Sequence, residues 1–119
     1  MAEVGETARY PATPDGRYFV AKGRLWRTTN PDLAEDERKR LVSELMTARG
    51  DVARAGNDAE KLKNARARVH AAKVALGERG EPWWDEDGTE DVLRHAPWTT
   101  RYKSWWETLS EAERARGKS

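Results

Sequence analysis

The feature that most limits the fold of this chain is its shortage of large aliphatic side chains. Leucine, valine, phenylalanine and isoleucine together make up 16 of the 119 residues, and isoleucine is absent. Such a low share is typical of disorder only when the net charge is high, and here the net charge is +1. Six tryptophans and 17 alanines supply apolar surface instead. We therefore expect a small helical fold with aromatic anchors.

The composition also narrows the class of protein. No apolar stretch is long enough to span a membrane, and residues 1–6 have neither the basic start nor the apolar core of a signal peptide. The absence of cysteine excludes disulfides and thiolate metal sites, and it suits a reducing compartment. We expect a cytoplasmic protein that makes no membrane contact.

The order of turn residues and apolar residues predicts one small domain over residues 14–113. Residues 1–13 are polar and aperiodic and predict a flexible N-terminal segment, and residues 114–119 predict a flexible tail. Near the start of the domain, Lys22-Gly23 joins two strand-like runs and predicts a β-hairpin with a two-residue turn. A two-stranded hairpin is marginal alone in water, so we expect it to pack on helices.

Two long helices are predicted by apolar residues at three- and four-residue spacing. The first is predicted over residues 31–55, with Asn30 as its cap and Gly56 ending it. The second is predicted over residues 57–76, with Asn57 as the cap of a capping box. The short link between them predicts an antiparallel helical hairpin.

A second apolar face and a tryptophan-rich C-terminal part complete the predicted architecture. Ala67, Ala71 and Val74 form the second face, which indicates a further neighbour for that helix. A short helix is predicted over residues 89–95 and a last helix over residues 99–109. The predicted fold class is mainly α (α+β), an antiparallel helical hairpin with a short N-terminal β-hairpin and a Trp-rich C-terminal helix.

Several short stretches resemble an uncharacterised family of small bacterial proteins. They are Pro14-Asp15-Gly16-Arg17-Tyr18, Gly23-Arg24-Leu25-Trp26-Arg27, Thr29-Asn30-Pro31, Leu76-Gly77-Glu78-Arg79-Gly80 and Trp83-Trp84. With the helical hairpin between them, the resemblance covers residues 14–106. The family has no established activity, so the resemblance implies no catalytic residues.

The tryptophans are the main candidates for binding a partner, because a domain of this size cannot bury six of them deeply. Tryptophan is enriched at binding hot spots and has a polar N–H. We expect most of them to form a core with the alanine-rich helices and one or two to line a partner surface. The candidate partner-binding residues are Trp26, Trp83, Trp84, Trp105, Trp106, Arg24 and Arg27. The expected function is a non-enzymatic interaction module that docks a protein partner or a second copy of itself.

Interleaved cations and aromatic residues in the β-hairpin favour an alternative, which is nucleic-acid binding by phosphate contacts and base stacking. The residues for this alternative are Arg17, Lys22, Arg24, Arg27 and Arg66. Residues 38–79 carry a net charge of +6, which adds to the basic surface, whereas residues 81–91 carry −6. Acidic residues are interspersed among the helical cations, so an ordinary solvated face with ion pairs explains the helices better.

Catalytic and metal-binding chemistry is weakly indicated. Asp91 and His95 are four residues apart and would pair on a helix, but a catalytic dyad also needs a nucleophile and an oxyanion site. The acidic run over residues 85–91 lacks the spacing of a calcium-binding loop. No glycine-rich phosphate-binding motif occurs. We therefore predict no enzymatic activity, no metal and no cofactor.

Overall fold

A computed structural model describes residues 10–119 of the chain, and it confirms the mainly α fold class. The elements in chain order are β1 (Tyr18–Ala21), β2 (Arg24–Arg27), α1 (Glu35–Arg54), α2 (Ala59–Ala75), one turn of 3-10 helix (Pro97–Thr99), α3 (Lys103–Thr108) and α4 (Glu111–Lys118). The chain divides into two compact units. Unit 1 combines the β-hairpin with residues 86–119, and unit 2 consists of residues 29–85. The single domain over residues 14–113 stays a prediction.

Unit 2 is built on the helical hairpin of α1 and α2. Its buried core consists of Leu41, Leu45, Ala72 and Leu76, with the half-buried residues Leu33, Val42 and Val69 packed against it. All of these residues except Leu33, which precedes α1, are positions that the three- and four-residue spacing predicts for the apolar stripes of the two helices. Full burial of a leucine side chain stabilises a fold by about 1.5–3 kcal/mol. The second apolar face of α2 (Ala67, Ala71 and Val74) is exposed.

Both long helices begin later than predicted because local side-chain hydrogen bonds form turns ahead of them. The Asn30 side chain accepts a hydrogen bond of 2.9 Å from the Asp32 N–H, which makes a turn, and α1 begins only at Glu35. At the second helix the cap is Asp58, whose side chain accepts from the Lys61 N–H at 3.0 Å. The prediction of Asn57 as the cap was therefore wrong by one residue.

The predicted two-residue turn between β1 and β2 is confirmed. Ala21 pairs with Arg24 across the turn, and Lys22 and Gly23 have φ values of 55° and 74°. Positive φ at both central residues defines a type I′ turn, whose twist matches that of the flanking strands. The alternation along the strands buries Leu25 on one face of the hairpin.

Both edges of the β-hairpin are paired with neighbouring chain. On the outer edge of β1, the Val20 N–H donates to the Pro11 carbonyl at 2.9 Å. On the outer edge of β2, the Leu25 N–H donates to the His95 carbonyl at 2.8 Å, and the Leu25 carbonyl accepts from the Arg94 N–H at 2.7 Å. This pairing stabilises a hairpin that would be marginal alone.

The pairing at the two edges also corrects two expectations. The predicted helix over residues 89–95 is absent, since its last residues bond to β2 and Arg94 has a φ of 72°. The predicted flexible segment over residues 1–13 falls partly outside the described residues, which begin at Tyr10. Its last residues lie against β1, where Thr13 is buried.

The C-terminal part contains a turn of 3-10 helix and two short helices in place of the single helix predicted over residues 99–109. Leu109 has extended backbone and ends α3. Ser110 then starts α4 with a capping box, in which its hydroxyl accepts from the Glu113 N–H and the Glu113 carboxylate accepts from the Ser110 N–H, both at 3.1 Å.

Helix α4 extends through residues for which the sequence predicted a flexible tail. Gly117 is buried, and a Cβ at this position would lie 3.0 Å from the Trp106 ring and 3.3 Å from Val20. The missing side chain therefore allows α4 to approach α3 and β1 closely. The Gly117 carbonyl also accepts a hydrogen bond of 2.9 Å from the Gly23 N–H.

Candidate functional site

A partly buried polar network joins the β-hairpin to the loop before the 3-10 turn. The Tyr18 hydroxyl donates a hydrogen bond of 2.6 Å to Asp91 Oδ1, and Arg27 Nη2 donates one of 2.6 Å to Asp91 Oδ2. Arg27 is 3% exposed. The prediction that Arg27 contacts a partner or nucleic acid from the surface was therefore wrong, because its guanidinium is buried and forms an ion pair with Asp91.

The network changes the ionisation of its members. Burial, together with the hydrogen bond to Asp91, raises the pKa of Tyr18 to about 12. Burial opposes ionisation of Asp91, but the hydrogen bonds from Tyr18 and Arg27 outweigh it and hold the pKa of Asp91 below its usual value. Both shifts favour a neutral tyrosine and a charged aspartate, which is the state that the hydrogen bonds require.

A second network in unit 1 surrounds Asp15. Its carboxylate accepts hydrogen bonds from the Tyr102 hydroxyl at 2.6 Å and from the Thr13 hydroxyl at 2.7 Å. Nearby, Arg17 Nη2 forms an ion pair of 2.7 Å with Asp87. Arg17, another residue of the nucleic-acid alternative, is therefore engaged within the unit.

Most of the tryptophans chosen from the sequence are at least half-buried. Trp106 is 5% exposed, which contradicts its predicted place on a partner surface. Trp26 and Trp105 are half-buried, and Trp26 Nε1 donates to the Ala21 carbonyl at 2.8 Å. Trp83 and Trp84 are half-buried in unit 2 and form an edge-to-face pair with ring centroids 5.1 Å apart.

The most exposed tryptophan is Trp98, which the sequence analysis did not select. Its side chain lies in the 3-10 turn and is 40% exposed. Lys118 Nζ lies 5.7 Å from the centroid of the Trp98 ring. The centroids of the Trp98 and Trp106 rings are 5.6 Å apart, and the two ring planes are tilted against each other. Trp98 was missed because it follows a proline and belongs to no helical period.

A groove beside Trp98 makes this part of unit 1 concave. It has a volume of about 490 Å³ and is lined by Trp106, Glu111, Arg114, Ala115 and Lys118. The volume falls within the usual range for ligand sites, about 300–1,000 Å³. We call Trp98 together with these five lining residues the Trp98 face.

The cations of the nucleic-acid alternative belong to two different units. Lys22 in the hairpin turn of unit 1 and Arg24 directly after it are exposed, and Arg66 is exposed on α2 of unit 2. Along the helical hairpin, several cations pair with carboxylates of the same hairpin. These pairs are Arg38–Glu35, Arg40–Glu37, Arg40–Glu44, Arg54–Asp51 and Arg68–Asp51. The mixed-charge, solvated surface that the sequence favoured for these helices is present.

Asp91 and His95 do not form the helical pair considered from the sequence. Asp91 bonds to Tyr18 and Arg27, while the His95 side chain is exposed and its carbonyl bonds to β2. Over residues 10–119, no cluster of three histidine, aspartate or glutamate side chains is arranged to hold a metal ion. The helices in the same range are too short or too polar to cross a membrane.

Comparisons with known proteins give no relative from which a function could be transferred. A scan against protein-family models, a search of curated proteins and a search of solved structures found no match. The resemblance to a family of small bacterial proteins therefore stays a prediction. The function of the chain has to be inferred from the chemistry of its own residues.

Proposed function

We propose that this chain is a non-enzymatic protein-binding module and that its docking surface is the Trp98 face. The observation that supports the proposal is the 40% exposure of Trp98 directly beside a groove. Tryptophan buries a large apolar area when it is covered, and it is among the residues most enriched at binding hot spots. A partner that covers Trp98 gains apolar burial without displacing any core residue.

The surroundings of Trp98 favour binding because they limit how far its ring can move. Its ring packs on Trp106 and lies under Lys118, and a Cβ built on Gly23 would be 3.7 Å from the ring edge. A side chain that is already ordered loses little entropy when a partner covers it. The same contacts leave part of the indole ring accessible.

The residues selected from the sequence relate to this surface in different ways. Trp106 lines the groove but is 5% exposed, and Arg24 is an exposed cation beside the hairpin turn. Trp26, Trp83, Trp84, Trp105 and Arg27 pack within their own units. The absence of cysteine suits a module that works in the reducing cytoplasm.

A site-specific photo-cross-linker tests the proposal. The cross-linking amino acid is placed at Ala115, an exposed residue that lines the groove, and, as a matched control, at Met46, which is 65% exposed on α1. We expect one protein to be captured from Ala115 and not from Met46 in cells of the source organism. The captured protein is then identified, purified and titrated against the wild type and against Trp98→Ala.

The result expected is a loss of affinity of about tenfold or more in Trp98→Ala, with an unchanged circular dichroism spectrum. Equal capture from both positions would refute docking at the Trp98 face, and so would equal affinity of the wild type and Trp98→Ala for the captured protein. If the captured species is a nucleic acid, the alternative through Lys22 and Arg24 replaces the proposal.

A further inference from the structure

The charges along the groove of the Trp98 face are unevenly distributed. Glu111, Arg114 and Lys118 follow one another at intervals of one helical turn along α4 and all line the groove. One end of the groove therefore carries a carboxylate, whereas its middle and its other end carry cations. Within residues 10–119, neither Arg114 nor Lys118 forms an ion pair.

Two further cations, which do not line the groove, lie near the C-terminal end of α4. The Lys22 N–H donates to the Ser119 carbonyl at 3.2 Å, which places the hairpin turn beside the C-terminal end of α4. Lys22 is exposed there, and Arg116 is exposed on the same helix. The nearest acidic residue of α4 besides Glu111 is Glu113, and its carboxylate is held by the Ser110 N–H in the capping box.

The apolar part of the Trp98 face is the accessible ring of Trp98. This ring is 40% exposed and lies next to Trp106 and Lys118, which line the groove together with Ala115. A ligand that fits this surface needs an apolar side chain for the Trp98 ring and negative charges for the cations of the groove. Arginine and lysine beside an apolar pocket give specificity for carboxylates through complementary charge.

We propose that the Trp98 face binds an acidic peptide segment of its protein partner, one that carries a large apolar side chain among its carboxylates. The apolar side chain packs on the exposed ring of Trp98, and the carboxylates pair with Arg114 and Lys118. Glu111 repels carboxylates at the other end of the groove and so fixes the direction of the peptide. This inference rests on the proposed docking function and adds the chemistry of the partner.

The experiment is a titration of labelled peptides of equal length, followed by fluorescence anisotropy. Four peptides are used. Three carry the same leucines, placed among aspartates in the first, among lysines in the second and among serines in the third, and the fourth has the aspartates without leucine. A labelled single-stranded oligothymidine is the fifth probe. The proteins are the full chain, Trp98→Ala, Lys118→Glu and the control Lys63→Glu, which makes the same charge change at an exposed position of α2.

The leucine–aspartate peptide is expected to bind most tightly and to weaken as salt is added. Its affinity should fall by about tenfold or more in Lys118→Glu and in Trp98→Ala, and change by less than about twofold in Lys63→Glu. Removal of either the leucines or the aspartates should weaken binding by a similar factor.

The opposite outcomes separate this inference from the docking function. If the serine or lysine peptide binds equally well and depends on Trp98, docking at the Trp98 face stands and the acidic preference is refuted. If no peptide depends on Trp98, the acidic peptide is refuted, and the cross-linking result decides the docking function on its own. If only the oligothymidine binds and depends on Lys118, the ligand is nucleic acid and both proposals fail.

Discussion

The Tyr18 hydroxyl donates a hydrogen bond of 2.6 Å to Asp91, although the two residues are 73 positions apart in the sequence. The same carboxylate binds Arg27, whose guanidinium is buried beneath it. Asp91 thus ties both strands of the hairpin to the loop that leads to the 3-10 turn and Trp98.

Replacement of Asp91 by asparagine removes the charge that compensates Arg27. Fully buried pairs lose about 3–5 kcal/mol when one partner is removed, and we expect about 2–3 kcal/mol here because Asp91 is partly exposed. The matched control is Asp87→Asn, which breaks the more exposed pair with Arg17 and should lower the free energy of unfolding by clearly less than Asp91→Asn does. Urea unfolding monitored by circular dichroism measures both, and equal losses would contradict the role of Asp91.

Stability should fall at alkaline pH because Tyr18 must stay protonated to donate to Asp91. Its pKa is raised in the folded state from 10.0 to about 12, so the folded state favours the neutral phenol. The resulting stabilisation is fully present below pH 10 and is lost as the pH rises through about 12. Tyr18→Phe should reduce this loss in urea unfolding series at increasing pH. If the stability of Tyr18→Phe falls with rising pH as steeply as that of the wild type, groups other than Tyr18 cause the loss.

Acid should destabilise unit 1 through Asp91 and Asp15, whose pKa values are both lowered in the folded state. For each of them burial alone would raise the pKa, but the donated hydrogen bonds outweigh it. Their contribution is present above the ordinary pKa of 3.8 and is lost as the pH falls through the lower folded values. Asp91→Asn should make the free energy of unfolding fall less steeply as the pH is lowered. If it falls as steeply in Asp91→Asn as in the wild type, Asp91 does not cause the loss of stability in acid.

Two helical glycines should respond oppositely to substitution by alanine. Alanine favours a helix by about 1 kcal/mol over glycine. At Gly50 the new Cβ meets only the flexible end of Arg54, so Gly50→Ala should be stabilising. At Gly117 it lies 3.0 Å from the buried ring of Trp106, so Gly117→Ala should be destabilising. Thermal unfolding compares the two, and a stabilising Gly117→Ala would show that α4 does not pack tightly on Trp106.

Local chemistry made much of the fold predictable. The turn at Lys22-Gly23 follows from the backbone freedom of glycine, and the core positions Leu41 and Leu45 follow from helical spacing. Helix starts were less predictable, because several polar side chains compete for the same N–H groups. At the second helix Asp58 took the capping position from its neighbour Asn57.

The candidate site was less predictable, since exposure depends on contacts that are distant in the sequence. Arg27 is buried and bonds to Asp91, which is 64 residues away in the sequence. No residue near Arg27 in the sequence indicates this partner. Trp106 is covered by Gly117, which the sequence placed in a flexible tail. Trp98 is left exposed by the same packing, so its role follows only from the folded unit.

Amide hydrogen exchange on the chain, with and without the captured partner, tests the docking surface most directly. We predict that the partner slows exchange at residues 98–99 and 111–118, which carry the Trp98 face, and leaves the exchange of α2 unchanged. Slowed exchange confined to α1 and α2, with none at residues 98–99 and 111–118, would contradict docking at the Trp98 face.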